Sequence, residues 1–212
     1  GIWKNRFVAK ILEDEEVLFS GTDRGVRLSG KAPYVEYDVS VINGEGTKAN
    51  ETAGSKYKDF IGKMAIAPFK GGPLAGLKIN AYGQDGAYGQ DLPRSRIIGG
   101  LSYESKRFNL MGTSYSANDK KTAVLAKAKG QGFSVHGVVN FSDVCWGFAR
   151  FDQWDPDDNK DEDARSRIYL GAGYKLADGV RLGLDYIALK QQTESSASKD
   201  ERALATHVEV KF

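Results

Sequence analysis

The chain has one cysteine, Cys145, in 212 residues, which excludes an internal disulfide and a cysteine metal cluster. Histidine is confined to His136 and His207, and neither sits in a Ser/His/acid or metal-ligand spacing. The sequence therefore implies no catalysis and no cofactor. A run of about 18 apolar residues is missing, which excludes a transmembrane helix. It does not exclude a membrane barrel, whose strands are apolar only at alternate positions. The opening GIWKNRF lacks a signal-peptide pattern, so the expectation is a chain that is cytoplasmic, already processed or trimmed. An excess of one charge is missing as well. Thirty Lys+Arg against 28 Asp+Glu leave +2, which excludes a nucleic-acid binder driven by bulk charge. Proline is scarce, five residues against 25 glycines, and 10 Tyr, 10 Phe and 3 Trp supply an aromatic load that suits strands.

What the chain does have is alternation. Read with period two, it resolves into twelve extended segments: 2–12, 24–31, 34–43, 57–69, 76–84, 95–105, 108–116, 131–141, 144–153, 165–176, 180–190 and 203–212. In YVEYDVSV, Val35, Tyr37, Val39 and Val41 share one face, and Glu36, Asp38 and Ser40 the other. RIYLGAGYKL and FSVHGVVNF repeat the pattern. The connections alternate in length. KAP, KGGPLAG, SKR, SDV and ADG are short, while EDEEVLFSGTD, NGEGTKANETAGSK, GQDGAYGQDLPR, ANDKKTAVLAKAKG, QWDPDDNKDEDA and QTESSASKDE are long and polar. Such alternation predicts an all-β, antiparallel up-and-down meander with decorated loops at one rim, and one domain over 1–212. KTAVLAKAKG (121–130) reads as a short helix or as an insertion into a pore.

Alternation fits a soluble barrel with apolar residues inside, or a membrane barrel with them outside. Four features favour the second. Twelve strands exceed the eight or so at which side chains fill a small barrel. The loop asymmetry matches short periplasmic turns and long external loops. Aromatics lie near strand ends on the apolar face (Trp3, Phe7, Tyr103, Phe108, Phe141, Phe151, Tyr174, Tyr186, Phe212), where interfacial girdles are expected. An even count with both termini at the short-turn side would let the first segment pair with the last. The final HVEVKF reads as a closing strand ending on an aromatic, similar to the C-terminal insertion signal of bacterial outer-membrane proteins.

SGTDRGVRLSGKAPYVEYDVSVINGEGTKANE (20–51) resembles porins of the phosphate-selective O and P type, through Asp23, Gly25, Val26, Leu28, Gly30, Tyr37, Asn43 and Gly44. FARFDQWDPDD (148–158) is similar to that family's strand running into an acidic loop. The resemblance implies a bacterial outer-membrane channel in contact with membrane lipid, often a homotrimer and usually of about sixteen strands. The chain would then be the C-terminal portion of a 14–16-stranded barrel. The basic ladder of phosphate-selective members does not map onto this sequence residue by residue.

With the apolar face outward, the other parity lines a lumen. Its basic members are Lys4, Arg6, Lys10, Arg27, Lys31, Lys63, Lys78, Arg96, Arg150, Arg167, Lys175, Arg181 and Lys211, and its acidic members Glu36, Asp38, Glu104, Asp152, Asp185 and Glu209. Thirteen against six makes a basic wall, balanced by the acidic loops EDEE and DPDDNKDED. The expectation is a passive channel for small anionic or polar solutes. Against it stands the reading that these charges pair across the wall and hold its shape, as Glu36 and Asp38 opposite Arg27 invite. Asp155, Asp157, Asn159 and Asp161 have the spacing of a calcium loop, but Lys160 replaces its glycine and Ser166 its terminal Glu, so a solvated acidic loop is the better reading. Two other classes stay open: a barrel serving as secretion domain or as sheath for a partner such as a cytochrome, and a soluble lipocalin-like binder.

Overall fold

A computed structural model describes residues 5, 8, 11–12, 24–44, 57–120, 127–160, 163–192 and 199–211. The strands are β1 (Gly25–Lys31), β2 (Val35–Ile42), β3 (Asp59–Ile66), β4 (Leu77–Gly89), β5 (Leu92–Glu104), β6 (Phe108–Asp119), β7 (Ala128–Asn140), β8 (Cys145–Asp155), β9 (Arg165–Ala177), β10 (Val180–Gln191) and β11 (Lys199–Val210). They form one 11-stranded sheet in sequence order, and every neighbouring pair is antiparallel. The meander expected from the loop lengths is the observed topology.

The short turns fall where the sequence puts them. In Asp178-Gly179 the glycine adopts φ 77°, which a two-residue hairpin turn requires and a side chain would oppose. The opposite rim differs from expectation. GQDGAYGQDLPR is not a loop: β4 and β5 run through it to a tight turn at Gln90-Asp91, where Asp91 takes φ 58°. Its Gly, Gln, Asp and Pro residues look like turn chemistry, but the period of two persists beneath them. The β6–β7 and β10–β11 connections shorten as well, because β6 runs on to Asp119, β7 begins at Ala128 and β11 at Lys199, whereas the β2–β3 connection stays long, from Ile42 to Asp59. Strands β4 to β11 span 11–13 residues, whereas β1 to β3 span 7 or 8. Of KTAVLAKAKG, Ala128 onward opens β7 and 121–126 lie outside the described residues.

The first expected strand, 2–12, is the main correction. Its described residues are not in a strand: Asn5 and Val8 lie in turns, with the Val8 N–H donating to the Asn5 carbonyl at 2.9 Å, and Leu12 is helical. Positions 5, 8 and 12 are three and four apart rather than two, a spacing that does not suit a strand. Among the described residues the strands therefore number eleven, β1 starts at the long-loop rim, and β1 and β11 run in the same direction as the two edges of the sheet.

The sheet is apolar on its exposed face and polar on its buried one. Val26, Leu28, Val39, Phe60, Ile97, Leu101, Val135, Leu170, Leu184, Leu204 and Val208 are all exposed, Val26 at 79% and Leu204 at 74%. Arg94, Arg96, Asp59, Gln84, Asn109, Thr113, Ser134, His136, Arg150, Asp152 and Asp185 are buried. A single-layer sheet shields one face only by curling round it. Asn5, Val8, Ile11 and Leu12 lie against that face: Val8 meets Val138 and Phe148, and Leu12 meets Tyr115, Ala117 and Trp154.

Candidate functional site

Strands β2 to β5 carry the tightest polar cluster. Asp59, fully buried at the start of β3, accepts hydrogen bonds from Gln84 and from Arg94 Nε at 3.1 Å, and pairs with Arg94 Nη2 at 2.5 Å. The same Arg94 group donates to the Gly44 carbonyl at 2.7 Å, tying the end of β2 to β5. Gly44 (φ 80°) and Gly86 both stand so close to this cluster that a Cβ would run into Arg94 or Asp59. Arg94 stacks on Tyr88 at 4.5 Å, and Arg96 reaches the Tyr88 hydroxyl at 2.8 Å and Asp119 at 2.9 Å. Planar guanidinium groups suit this combination of stacking and forked donation.

Towards the short-turn rim, the Glu36 carboxylate takes Lys31 at 2.8 Å and Lys78 at 3.8 Å, while Asp38 takes Arg27. On the far side of the sheet, Arg150 pairs with Asp152 at 2.5 Å and stacks on Tyr169 at 5.0 Å. Arg181 donates to Glu209 at 2.6 Å with the Trp146 ring 6.0 Å away, and His207 meets buried Asp185 at 2.6 Å. Trp146 Nε1 donates to the Asn5 side chain at 3.1 Å. Aromatic faces beneath cations recur along the wall, an arrangement that holds charge without solvating it in bulk water.

A cavity of about 880 Å³ opens along β1 to β6, walled by Arg27, Lys63, Asn80, Tyr82, Arg96 and Thr113 and reached by Ile11. It has the size of a small-molecule site. Chemically the arrangement offers charge, hydrogen bonds and aromatic faces to a passing or bound polar solute.

Strand parity places Arg27, Lys31, Glu36, Asp38, Lys78, Arg96, Arg150, Asp152, Arg167, Lys175, Arg181 and Asp185 on the polar face. They are spread around it. Most pair with an opposite charge rather than converge, and Lys175 pairs with Asp178 of its own turn at 2.5 Å. Lys4, Arg6 and Lys10 lie outside the described residues, and the strand expected to orient them is not there at Asn5, Val8 or Leu12. Asp59, Arg94, Asp119 and Arg165 also belong to the polar face and escaped the sequence reading. Arg94 was hidden by the apparent loop, although Arg94 and Arg96 alternate with Ser95 in strict period two.

The acidic loop after β8 satisfies its own backbone. Asp155 accepts from the Asp157 N–H at 3.1 Å, and Asp157 accepts from Asn159 Nδ2 at 2.8 Å. Among the described residues no group of three metal-capable side chains converges, and Asp161 lies outside them. Partial burial, with the neighbouring Asp155 carboxyl, raises the Asp163 carboxyl above the ordinary range.

No family model matches the sequence, and no curated protein matches it.

Proposed function

We propose that this chain forms the greater part of a transmembrane β-barrel in a bacterial outer membrane and acts as a passive diffusion channel for small hydrophilic solutes, anions favoured. One observation carries the reading: the exposed face is a continuous apolar surface and the buried face is polar, the inverse of a protein that folds in water. Three others support it. Strands β4 to β11 have the length to cross a hydrocarbon layer, for which about 9–11 tilted residues suffice. Tyr34, Phe69, Tyr103, Phe108, Phe141 and Tyr174 gather near the short turns, as an interfacial girdle would. The resemblance of 20–51 to porins of the phosphate-selective O and P type points to the same class.

The sheet itself is open, and strand direction limits how such a barrel would close. Because β1 and β11 run the same way, antiparallel pairing on both edges takes an odd number of additional strands. Adding three or five would complete a barrel of 14 or 16, the even counts usual for such channels. Mechanism is size exclusion and electrostatic filtering, with no bond made or broken.

The seating of Asn5, Val8 and Leu12 on the polar face favours a second reading, a barrel whose interior is occupied and which serves as scaffold. Planar-bilayer recordings of the purified protein separate the two. The channel reading expects discrete conductance steps, with a reversal potential displaced toward the anion equilibrium potential in a salt gradient. A protein that inserts but carries no current supports the scaffold.

A further inference from the structure

Resting on that channel reading, we infer that the passage is eccentric: solute travels along β1 to β5, and Lys63, near Arg27, is the contact that selects anions. Three observations carry this. The polar face is unequally covered. Over β6 to β8, Val8 and Leu12 seat on Val138, Phe148, Tyr115 and Trp154, and Arg150 and Asp152 are each only 1% exposed. Along β1 to β6 the face instead opens into the 880 Å³ cavity.

Charges within the cavity differ in reach as well as in number, five basic side chains against three carboxylates. Asp38 and Asp59 have side chains 10% and 0% exposed, whereas Arg27 is 66% exposed. Asp38 lies beneath Arg27, and the one well-exposed carboxylate, Glu36 at 43%, is flanked by Lys31 and Lys78, so the surface offered to solute carries more positive charge than negative.

Lys63 differs from the other cations of this wall. It stands directly opposite Asp38 in the β2–β3 register, but Asp38 is engaged by Arg27 on its other side. No carboxylate among the described residues lies within ion-pair distance of Lys63, and its ammonium stands 5.6 Å from the Tyr82 ring. An exposed ammonium with uncommitted donors, next to an aromatic face and with one strand between it and an exposed guanidinium, suits a small oxyanion such as inorganic phosphate or a carboxylate.

The test uses the full protein with Cys145→Ser as background. Lys63→Cys and, under the covered half, Val138→Cys are each exposed to a negatively charged thiol reagent in proteoliposomes, and labelling is read by mass spectrometry. The thiol at position 63 is expected to label at least tenfold faster than the one at position 138. In bilayers, Lys63→Gln is expected to lower the chloride-to-potassium permeability ratio about fivefold, one unit charge about 8 Å from the ion path under water-like screening acting on the two ions with opposite sign. Lys63→Glu should lower it further, and added phosphate should block wild type more strongly than either variant. A wild type without current overturns the channel reading and this inference with it. A conducting protein whose selectivity ignores Lys63→Gln and Lys63→Glu, or one in which position 138 labels as fast as 63, overturns the eccentric passage alone.

Discussion

Asp59→Ala removes the one carboxylate to which Arg94 and Gln84 are both tied. Asp59 is fully buried and the Arg94 side chain is 7% exposed, so neither is rescued by bulk water. The substitution leaves a buried guanidinium with the Gly44 carbonyl and the Tyr88 face as partners, and strips Gln84 of an acceptor. Breaking a buried pair from one side costs about 3–5 kcal/mol. The unsatisfied amide alone accounts for about 1–3 kcal/mol of that, so the two figures overlap rather than add. Removing both charges is milder: Asp59→Leu with Arg94→Met loses the bond to Gly44, about 1 kcal/mol, and leaves the Gln84 amide without its acceptor as the single variant does, but strands no charge. Urea unfolding of detergent-solubilised protein, followed by tryptophan fluorescence, reports each value. The single variant should be clearly less stable than the double one. A single-variant loss below about 1 kcal/mol, or a double variant worse than Asp59→Ala, would show that the cluster is solvated and refute the argument.

The outward face gives a second test: Leu170→Arg should cost about 2–4 kcal/mol in detergent or lipid, where a water-exposed site would change by under about 0.5 kcal/mol. Two glycines should diverge. Nothing stands within 4 Å of a Cβ on Gly99, so Gly99→Ala should gain about 0.5–1 kcal/mol by urea unfolding. At Gly86 the added carbon runs into Asp59, and Gly86→Ala should lose about 1–3 kcal/mol. Leu12→Ala, emptying the space between Tyr115 and Trp154, should loosen the inner segment and raise single-channel conductance; an unchanged conductance would place that segment away from the passage. The raised Asp163 titration means that the folded loop holds its proton more tightly than the unfolded chain. Loop stability is therefore full at low pH and falls as pH rises through the folded pKa. Hydrogen exchange of 156–164 should show that fall, and Asp163→Asn should abolish it.

Alternation in YVEYDVSV or RIYLGAGYKL is unambiguous because one face is apolar throughout, and there the strands, their facing and the short turns were legible. The signal failed in two places, each with a physical cause. Residues 83–94 carry turn-forming side chains on a strand whose inner face is a charged cluster, so composition and period disagreed, and composition misled. Residues 2–12 place apolar groups at both two- and four-residue spacings. Only the contacts of Val8 and Leu12 with Phe148 and Trp154 decide between them. Pairing of the wall charges was half-legible: Glu36 and Asp38 facing β1 could be read, whereas Arg94–Asp59 spans strands whose register the sequence does not state.

How the fold is held follows from where its apolar side chains lie. Among the described residues the apolar clusters on the inside are two, Leu12 with Tyr115, Ala117 and Trp154, and Val8 with Val138 and Phe148. At about 1.5–3 kcal/mol for each fully buried large side chain, they fall far short of the conformational entropy that eleven strands must overcome. Leu28, Ile97, Leu101, Leu170 and Leu204 gain nothing from the polar interior, because they point the other way. Their transfer out of water needs an apolar solvent on the outside, and the inner ion pairs then fix the curvature and the register of the wall. On the proposed membrane reading, a sheet arranged in this way gains its stability in a hydrocarbon layer and has no comparable driving force in water. Transfer from detergent into detergent-free buffer should therefore abolish the sheet signal in circular dichroism. Retention of a soluble, monomeric sheet would return the protein to the class of water-soluble barrels.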